Sequence, residues 1–254
     1  MRLLIVGAGA MGRWFAAAVA TGVDEIAFAD VDHAAAQAAA EAQGGRAVAI
    51  DGEEGFDALC VAVPLSIAPT AIEEHASRAG AAVFDVSGAM TEPVNAMRAA
   101  ASDRERASLH PLFAPENEPG NVPVVVDESG AITEEVLSRI EARGNALVET
   151  TPEEHDRAME TVQAKVHAAV LAYALARDPV PEGFETPVSR GLDDLVETVT
   201  GGTPHVYGEI QGAFDGAESV ASAAERIAAS DGEAFEALYR EASEGAIRYD
   251  AGDR

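Results

Sequence analysis

Two stretches of the chain combine residue types and spacings that can do chemistry. The first, Gly7-Ala8-Gly9-Ala10-Met11-Gly12, has the form G-x-G-x-x-G between an apolar run and an Ala-rich stretch. In a strand–turn–helix setting Gly7 permits the tight turn, Gly9 lets the backbone approach a pyrophosphate and Gly12 lets helix and strand pack closely. The helix start, with the amides of Ala10 and Met11, then offers N–H groups and a partial positive charge to phosphates. Asp30 follows 18 residues after Gly12, at the end of a second apolar run. A carboxylate there hydrogen-bonds both ribose hydroxyls and repels a 2′-phosphate. No Arg or Lys follows in Val31-Asp32-His33, so the spacing points to NAD rather than NADP. Val63-Pro64 ends a later apolar run, at the edge where such domains flank a nicotinamide. The second stretch is Ser108-Leu109-His110-Pro111. Pro111 biases His110 away from helix. An unperturbed imidazole titrates near pH 6.5, so it is mostly neutral in a cell and suited to accepting a proton. A lone histidine is more often structural, and the residues alone leave both roles open.

These residues need a scaffold. Over residues 1–150, strand candidates at 2–6, 25–29, 46–49, 58–62, 81–84, 106–109, 122–126 and 146–149 alternate with helix candidates near 10–21, 33–43, 66–78, 92–101 and 131–143. Such alternation predicts βαβ units and a mostly parallel sheet. The pattern changes after Thr150. Thr151-Pro152-Glu153-Glu154 carries helix-start signals, and Met159, Val162, Val166, Val170 and Tyr173 recur at helical spacing. Further helices are expected at 186–200, 204–229 and 232–247. The predicted fold class is therefore α/β: a Rossmann-type dinucleotide-binding domain over 1–150, then an all-helical domain over 151–254.

Composition narrows the partners. The 254 residues include 17 Lys+Arg and 44 Asp+Glu, for a net charge of −27, and Lys165 is the single lysine. The acids are spread along the chain rather than gathered in a tail, which fits a halophile's solvated surface better than a site for a basic protein. Such a surface repels phosphates, so no nucleic-acid partner is expected. No apolar run reaches the 18 residues of a membrane span, and residues 2–6 read as a buried strand rather than a leader. The expected location is cytoplasmic. Cys60 reads as a small core residue, and no Cys/His cluster has metal-ligand spacing, so no metal is expected.

Three further segments carry a family resemblance. Ser108-Leu109-His110-Pro111-Leu112-Phe113-Ala114-Pro115 resembles the G-x-H-P-M-F-G-P segment of prephenate/arogenate dehydrogenases. Glu154-His155-Asp156-Arg157-Ala158-Met159, continuing through Gln163-Ala164 to His167, resembles the helix that opens that family's helical domain. Pro187-Val188-Ser189-Arg190-Gly191-Leu192 resembles the segment whose arginine grips the ring carboxylate. With the glycine motif, the resemblance runs from residue 1 to about 212. It implies a catalytic histidine at His110, a substrate-binding histidine at His167, a carboxylate-binding Arg190 and a homodimer through the helical domain. The implied reaction is NAD-linked oxidative decarboxylation of prephenate or arogenate. The family's D-x-x-S-V-K stretch reads Asp85-Val86-Ser87-Gly88-Ala89-Met90 here, with Gly for Ser and Met for Lys. Ser87 is then the candidate to supply the displaced hydroxyl to the substrate. His155, near a helix start, reads equally as a capping or packing residue. The rival readings are a β-hydroxyacid- or imine-type oxidoreductase, the hydroxyacid type needing Lys165 as its catalytic lysine, and a non-catalytic NAD-binding sensor.

Overall fold

The computed structural model describes residues 1–245. Its strands β1 (Arg2–Val6), β2 (Glu25–Ala29), β3 (Arg46–Ala47), β4 (Phe56–Val61), β5 (Ala79–Val86), β6 (Glu105–Leu109), β7 (Asn121–Glu128) and β8 (Ala146–Glu149) form one sheet in the order β3-β2-β1-β4-β5-β6-β7-β8. Helices α1 (Ala10–Val19), α2 (His33–Gln43), α3 (Ala68–His75), α4 (Thr91–Ala100) and α5 (Ala131–Ala142) connect them. The first six strands are parallel. β7 runs antiparallel to β6, and β8 runs parallel to β7. The reversal has a local cause. Only a loop joins β6 to β7, with a short turn at Pro115–Asn117, and no crossover helix is present to bring the chain back in the same direction.

Both sheet faces are covered, so the strands read as unbroken apolar runs. In β1, Leu3 and Ile5 face one core layer with Trp14, Phe15 and Ile140, while Leu4 and Val6 face another with Ile72, Val94 and Met97. Cys60 is fully buried in the first layer. From β1 the chain builds outward to β2 and β3, then returns to lay β4 on the other side of β1. That reversal opens a crevice at the C-terminal ends of β1 and β4, where ligands bind in open α/β sheets.

From Pro152 to Glu244 the described elements are all helical. Thr151 caps α6 (Pro152–Met159) by accepting from the Glu154 amide. The helix then widens into a π-helical stretch, Glu160–Lys165, before resuming as α7 (Val166–Ala176). Gln211 donates to the Ala164 carbonyl at 2.9 Å, and a Cβ on Gly216 would lie 2.6 Å from Ala164 and the Lys165 nitrogen. The wide turn is thus held by a side-chain donor on its backbone and by a glycine pressed against it. Thr186 and Ser189 form a reciprocal capping box at the start of α8 (Pro187–Thr200). The helix expected over 204–229 is two: α9 (Pro204–Ala213) and α10 (Gly216–Ala229), broken by the extended backbone of Phe214. In α11 (Gly232–Glu244), no residue is buried; residues 246 and 247 of the expected helix lie outside the described residues. Among the described residues no helix is long and apolar enough to cross a membrane.

Candidate active site

The glycine loop occupies the crevice end of β1. Gly7 has φ of +102°, and a Cβ there would lie 2.2 Å from the Ala62 carbonyl, so backbone conformation and space both demand glycine. A Cβ on Gly12 would lie 2.0 Å from the Gly7 carbonyl. Gly9 differs: nothing lies within 4 Å of its Cβ position. Protein packing does not require glycine at that position, whereas a pyrophosphate lying against the loop would. Gly9 is also the N-cap of α1 and offers no side-chain cap, so the first amides of α1, including those of Ala10 and Met11, stay available. Asp30 is half-buried behind the loop and accepts from the amides of Ala8 (2.7 Å) and Asp32 (2.9 Å). Val63 reaches Gly7 from the neighbouring strand end, with Pro64 exposed beside it. The open space at Gly9 and the uncapped start of α1 are compatible with a dinucleotide phosphate at this loop.

The candidate reactive groups lie beyond the end of β6 and on α6. His110 leaves β6, its amide donating to the Pro123 carbonyl at 3.0 Å. Its Nδ1 lies 2.9 Å from Nε2 of His155, a side chain that is only 2% exposed on α6. His155 Nδ1 lies 2.8 Å from Asp156 Oδ1. Asp156 in turn accepts from the amides of Met90 (2.8 Å) and Thr91 (3.0 Å), the N-cap and first residue of α4. One connected chain therefore links the helical part to the sheet part. On the other side of the His110 ring, the Cβ position of Gly88 would be 3.7 Å from Nε2, so the absent side chain leaves room beside that nitrogen.

Electrostatics follow from this packing. Burial lowers the His110 imidazole, the adjacent His155 lowers it further, and the Asp156 carboxylate opposes only partly; the result is about 3. The unperturbed value near 6.5 expected from sequence is corrected accordingly. Burial alone would raise Asp156, but hydrogen bonds from His155, Thr91 and the Met90 amide override it and hold the carboxyl at about 2. Asp85, wholly buried at the end of β5, is raised by burial to about 7 despite the hydrogen bond from Ser87.

The remaining expected residues fare differently. Ser87 is turned inward: its hydroxyl lies 2.5 Å from Asp85 Oδ1 and 3.0 Å from the Ala89 carbonyl, and the residue is buried. The expectation that Ser87 offers its hydroxyl to a substrate is corrected, because that proton is already committed. His167 is half-buried on α7, with its ring 4.6 Å from that of Tyr207 and its Nδ1 unpartnered; burial lowers its pKa. Arg190 is exposed in the first turn of α8 and its guanidinium has no hydrogen bond or ion pair among the described residues. Neither His167 nor Arg190 is hydrogen-bonded to His110. Lys165, by contrast, is paired with Glu160 at 2.8 Å.

Sequence reasoning gave no role to three acids here. Asp156 lay within the matched Glu154-His155-Asp156 run, but its partners on α4 are about 65 residues away in sequence. Glu209 on α9 accepts from the Leu65 amide (2.8 Å) and the Ser66 hydroxyl (2.6 Å), tying the helical part to the loop just after Pro64. Asp85 opens the stretch compared with D-x-x-S-V-K, but nothing in the sequence marks its complete burial.

No protein-family profile matches the chain. It is 30% identical over 274 aligned positions to a 4-amino-4-deoxyprephenate dehydrogenase of Streptomyces pristinaespiralis, covering 94% of this chain and 88% of that protein. Among solved structures it is similar to the prephenate dehydrogenase of A. aeolicus in complex with hydroxyphenyl propionate and NAD+, with TM-score 0.71 and 18% identity over 96% of this chain and 93% of that one. It is also similar to the Synechocystis arogenate dehydrogenase, with TM-score 0.60 and 16% identity over 96% and 98% of the two chains. Those two likenesses show a shared fold, and the curated relative is matched along nearly the whole length. With a glycine loop at the crevice and a histidine at the adjoining strand ends, the chain belongs to the prephenate/arogenate dehydrogenase family.

Proposed function

We propose that this dehydrogenase is NAD-dependent and converts prephenate to 4-hydroxyphenylpyruvate, with arogenate as the alternative substrate. The observation that carries the reading is the placement of His110: one ring nitrogen is held by His155, and the other faces the space left by Gly88 near the crevice edge. The Gly7–Gly12 loop, Asp30, Val63 and Pro64 hold the cofactor, and His167 and Arg190 are assigned to the substrate. A planar guanidinium grips a carboxylate through two parallel hydrogen bonds, and that of Arg190 has no acid partner of its own.

When bound, the nicotinamide supplies the hydride acceptor. His110, neutral because burial holds its pKa at about 3, takes the proton of the C4 hydroxyl as hydride leaves ring C4. The bond from ring C1 to its carboxylate then breaks, carbon dioxide leaves, and the freed electron pair completes the aromatic ring. His110 returns its proton to the phenolate oxygen, so none is gained or lost overall. The hydroxyacid-type alternative draws no support from the site, since Lys165 is tied to Glu160.

The test is reduction of NAD on adding prephenate, arogenate or the 4-amino-4-deoxy analogue, in 0.1 M and in molar KCl. A halophilic surface of charge −27 repels an anionic cofactor and substrate. At about 1 M salt the Debye length falls to roughly 3 Å, so we expect turnover with prephenate or arogenate, and faster in molar KCl. No reduction with any of the three would favour the sensor reading. Turnover with the amino analogue alone would reassign the substrate.

The helical half, residues 151–254, is proposed to pair two copies into a homodimer. Besides the lack of any buried residue in α11, Phe235, Tyr239 and the neighbouring Ile227 of α10 are 47%, 70% and 55% exposed. An amphipathic helix left so bare calls for an apolar partner, and closed two-fold pairing is the commonest solution. Phe235→Asp together with Tyr239→Asp is expected to halve the mass seen by light scattering. An unchanged dimer mass would place the interface elsewhere, and a monomeric wild type would remove it.

A further inference from the structure

We propose that His155 and Asp156 are positioning residues that fix His110 as the tautomer protonated on Nδ1, so that Nε2 meets the substrate with a bare lone pair. The argument starts from groups with no freedom of choice. The backbone amides of Met90 and Thr91 can only donate, and both point at Asp156, from 2.8 and 3.0 Å. The start of α4 has no side-chain cap of its own, so Asp156, reaching over from α6, serves as its cap. As an ionised acceptor, Asp156 requires a proton on His155 Nδ1, 2.8 Å away. A neutral imidazole carries one proton, so His155 Nε2 is an acceptor. Across the 2.9 Å contact, the proton must then sit on His110 Nδ1. Each step fixes the next, and the last leaves Nε2 of His110 unprotonated beside Gly88.

The charged alternative is a doubly protonated His155, which would turn the final hydrogen bond around and place a proton on His110 Nε2. The packing disfavours it. His155 is 2% exposed, and the charge of Asp156 is already offset by the amides that open α4. The hydrogen bonds also make the device span the two halves of the protein. Asp156 and His155 come from the first turns of the helical half, whereas His110, Met90 and Thr91 come from the sheet half. The ring is therefore set only when the halves are docked.

The direct test is nitrogen-15 NMR of the histidine side chains in the full-length protein, with and without NAD. We expect the wild-type His110 to show a protonated Nδ1 and an unprotonated Nε2, and His155 to be singly protonated. A proton on His110 Nε2, or a doubly protonated His155, overturns the proposal without any variant being needed. Asp156→Asn and His155→Leu are expected to scramble the His110 tautomer and lower kcat by about 10²–10⁴-fold, the range of general-base assistance, whose upper end is the loss a wrong tautomer causes in an Asp–His pair. KM should move by no more than about threefold. His155→Gln keeps an acceptor where Nε2 stood, and is expected to restore kcat to within about tenfold of wild type. Equal losses in all three variants, with the wild-type tautomer retained, would make the two residues merely structural. The kinetic half rests on the proposed function and the spectroscopic half does not, so failure of one is distinguishable from failure of the other.

Discussion

Replacing His110 by Asn is expected to lower kcat by about 10²–10⁴-fold, or roughly 3–5 kcal/mol of barrier, with the Kd for NAD unchanged. Asparagine occupies similar space but has no nitrogen that can take and return a proton. The pH dependence should carry a second signature. His110 acts unprotonated and its pKa is depressed to about 3, so its active form persists far below the ordinary histidine range. Activity set by this group is therefore lost only as pH falls toward that value. The titratable groups around it are His155 and Asp156 on α6 and Asp85 on β5, the last raised to about 7. A limb that survives in the Asn variant belongs to a group other than His110. One near pH 6.5 that vanishes with the imidazole would contradict the burial argument, and a variant retaining more than half of wild-type kcat would remove His110 from catalysis.

Cofactor choice should respond almost as strongly to Asp30. With Asp30→Ser and Val31→Arg combined, the NADP-to-NAD ratio of kcat/KM is expected to rise by about 10²-fold. Two like charges about 5 Å apart at an effective dielectric constant near 20 repel by roughly 3 kcal/mol, which is the scale of that change. Val31 is 92% exposed, so an arginine has room to meet a 2′-phosphate. The serine also gives up the hydrogen bond from Ala8, so affinity for both cofactors should fall somewhat. The ratio is the quantity to read. A ratio that stays put, or a wild type already indifferent to the phosphate, would show that Asp30 only braces the loop.

The sheet half was legible because its signals are local. β1 sits at Arg2–Val6, as its unbroken apolar run demands when both faces are covered, and the glycine motif announces the turn that Gly7 makes. Edges were less certain: β3 spans two residues rather than four, and β5 extends to eight. The antiparallel return of β7 was not legible, because it depends on the absence of a helix in a stretch whose Pro and Asn residues merely say loop. In the helical half, periodicity located the helices but not their irregularities. Gln211 and Gly216 hold the π stretch at Glu160–Lys165 from about 50 residues away, and nothing within that stretch signals it.

The site divides along the same line. Gly7, Gly9, Gly12 and Asp30 could be proposed as cofactor contacts because the motif is defined by their spacing. His110 could be named as a candidate, but its state could not, since the pKa is set by burial and by a histidine 45 positions later. The role of Asp156 is wholly tertiary: it acts through the amides that open another helix. Ser87 shows the opposite error. A hydroxyl one position from where the family pattern places one looked available, yet its carbon framework points it at Asp85.

The measurement that bears most directly on the central claim is the stoichiometry of carbon dioxide and NADH from prephenate labelled in its ring carboxylate, with the unmodified protein in molar KCl. Oxidation at C4 coupled to aromatisation should release one labelled carbon dioxide for each NADH formed. NADH appearing while the label stays on the ring, or no NADH from labelled prephenate or labelled arogenate, would contradict it.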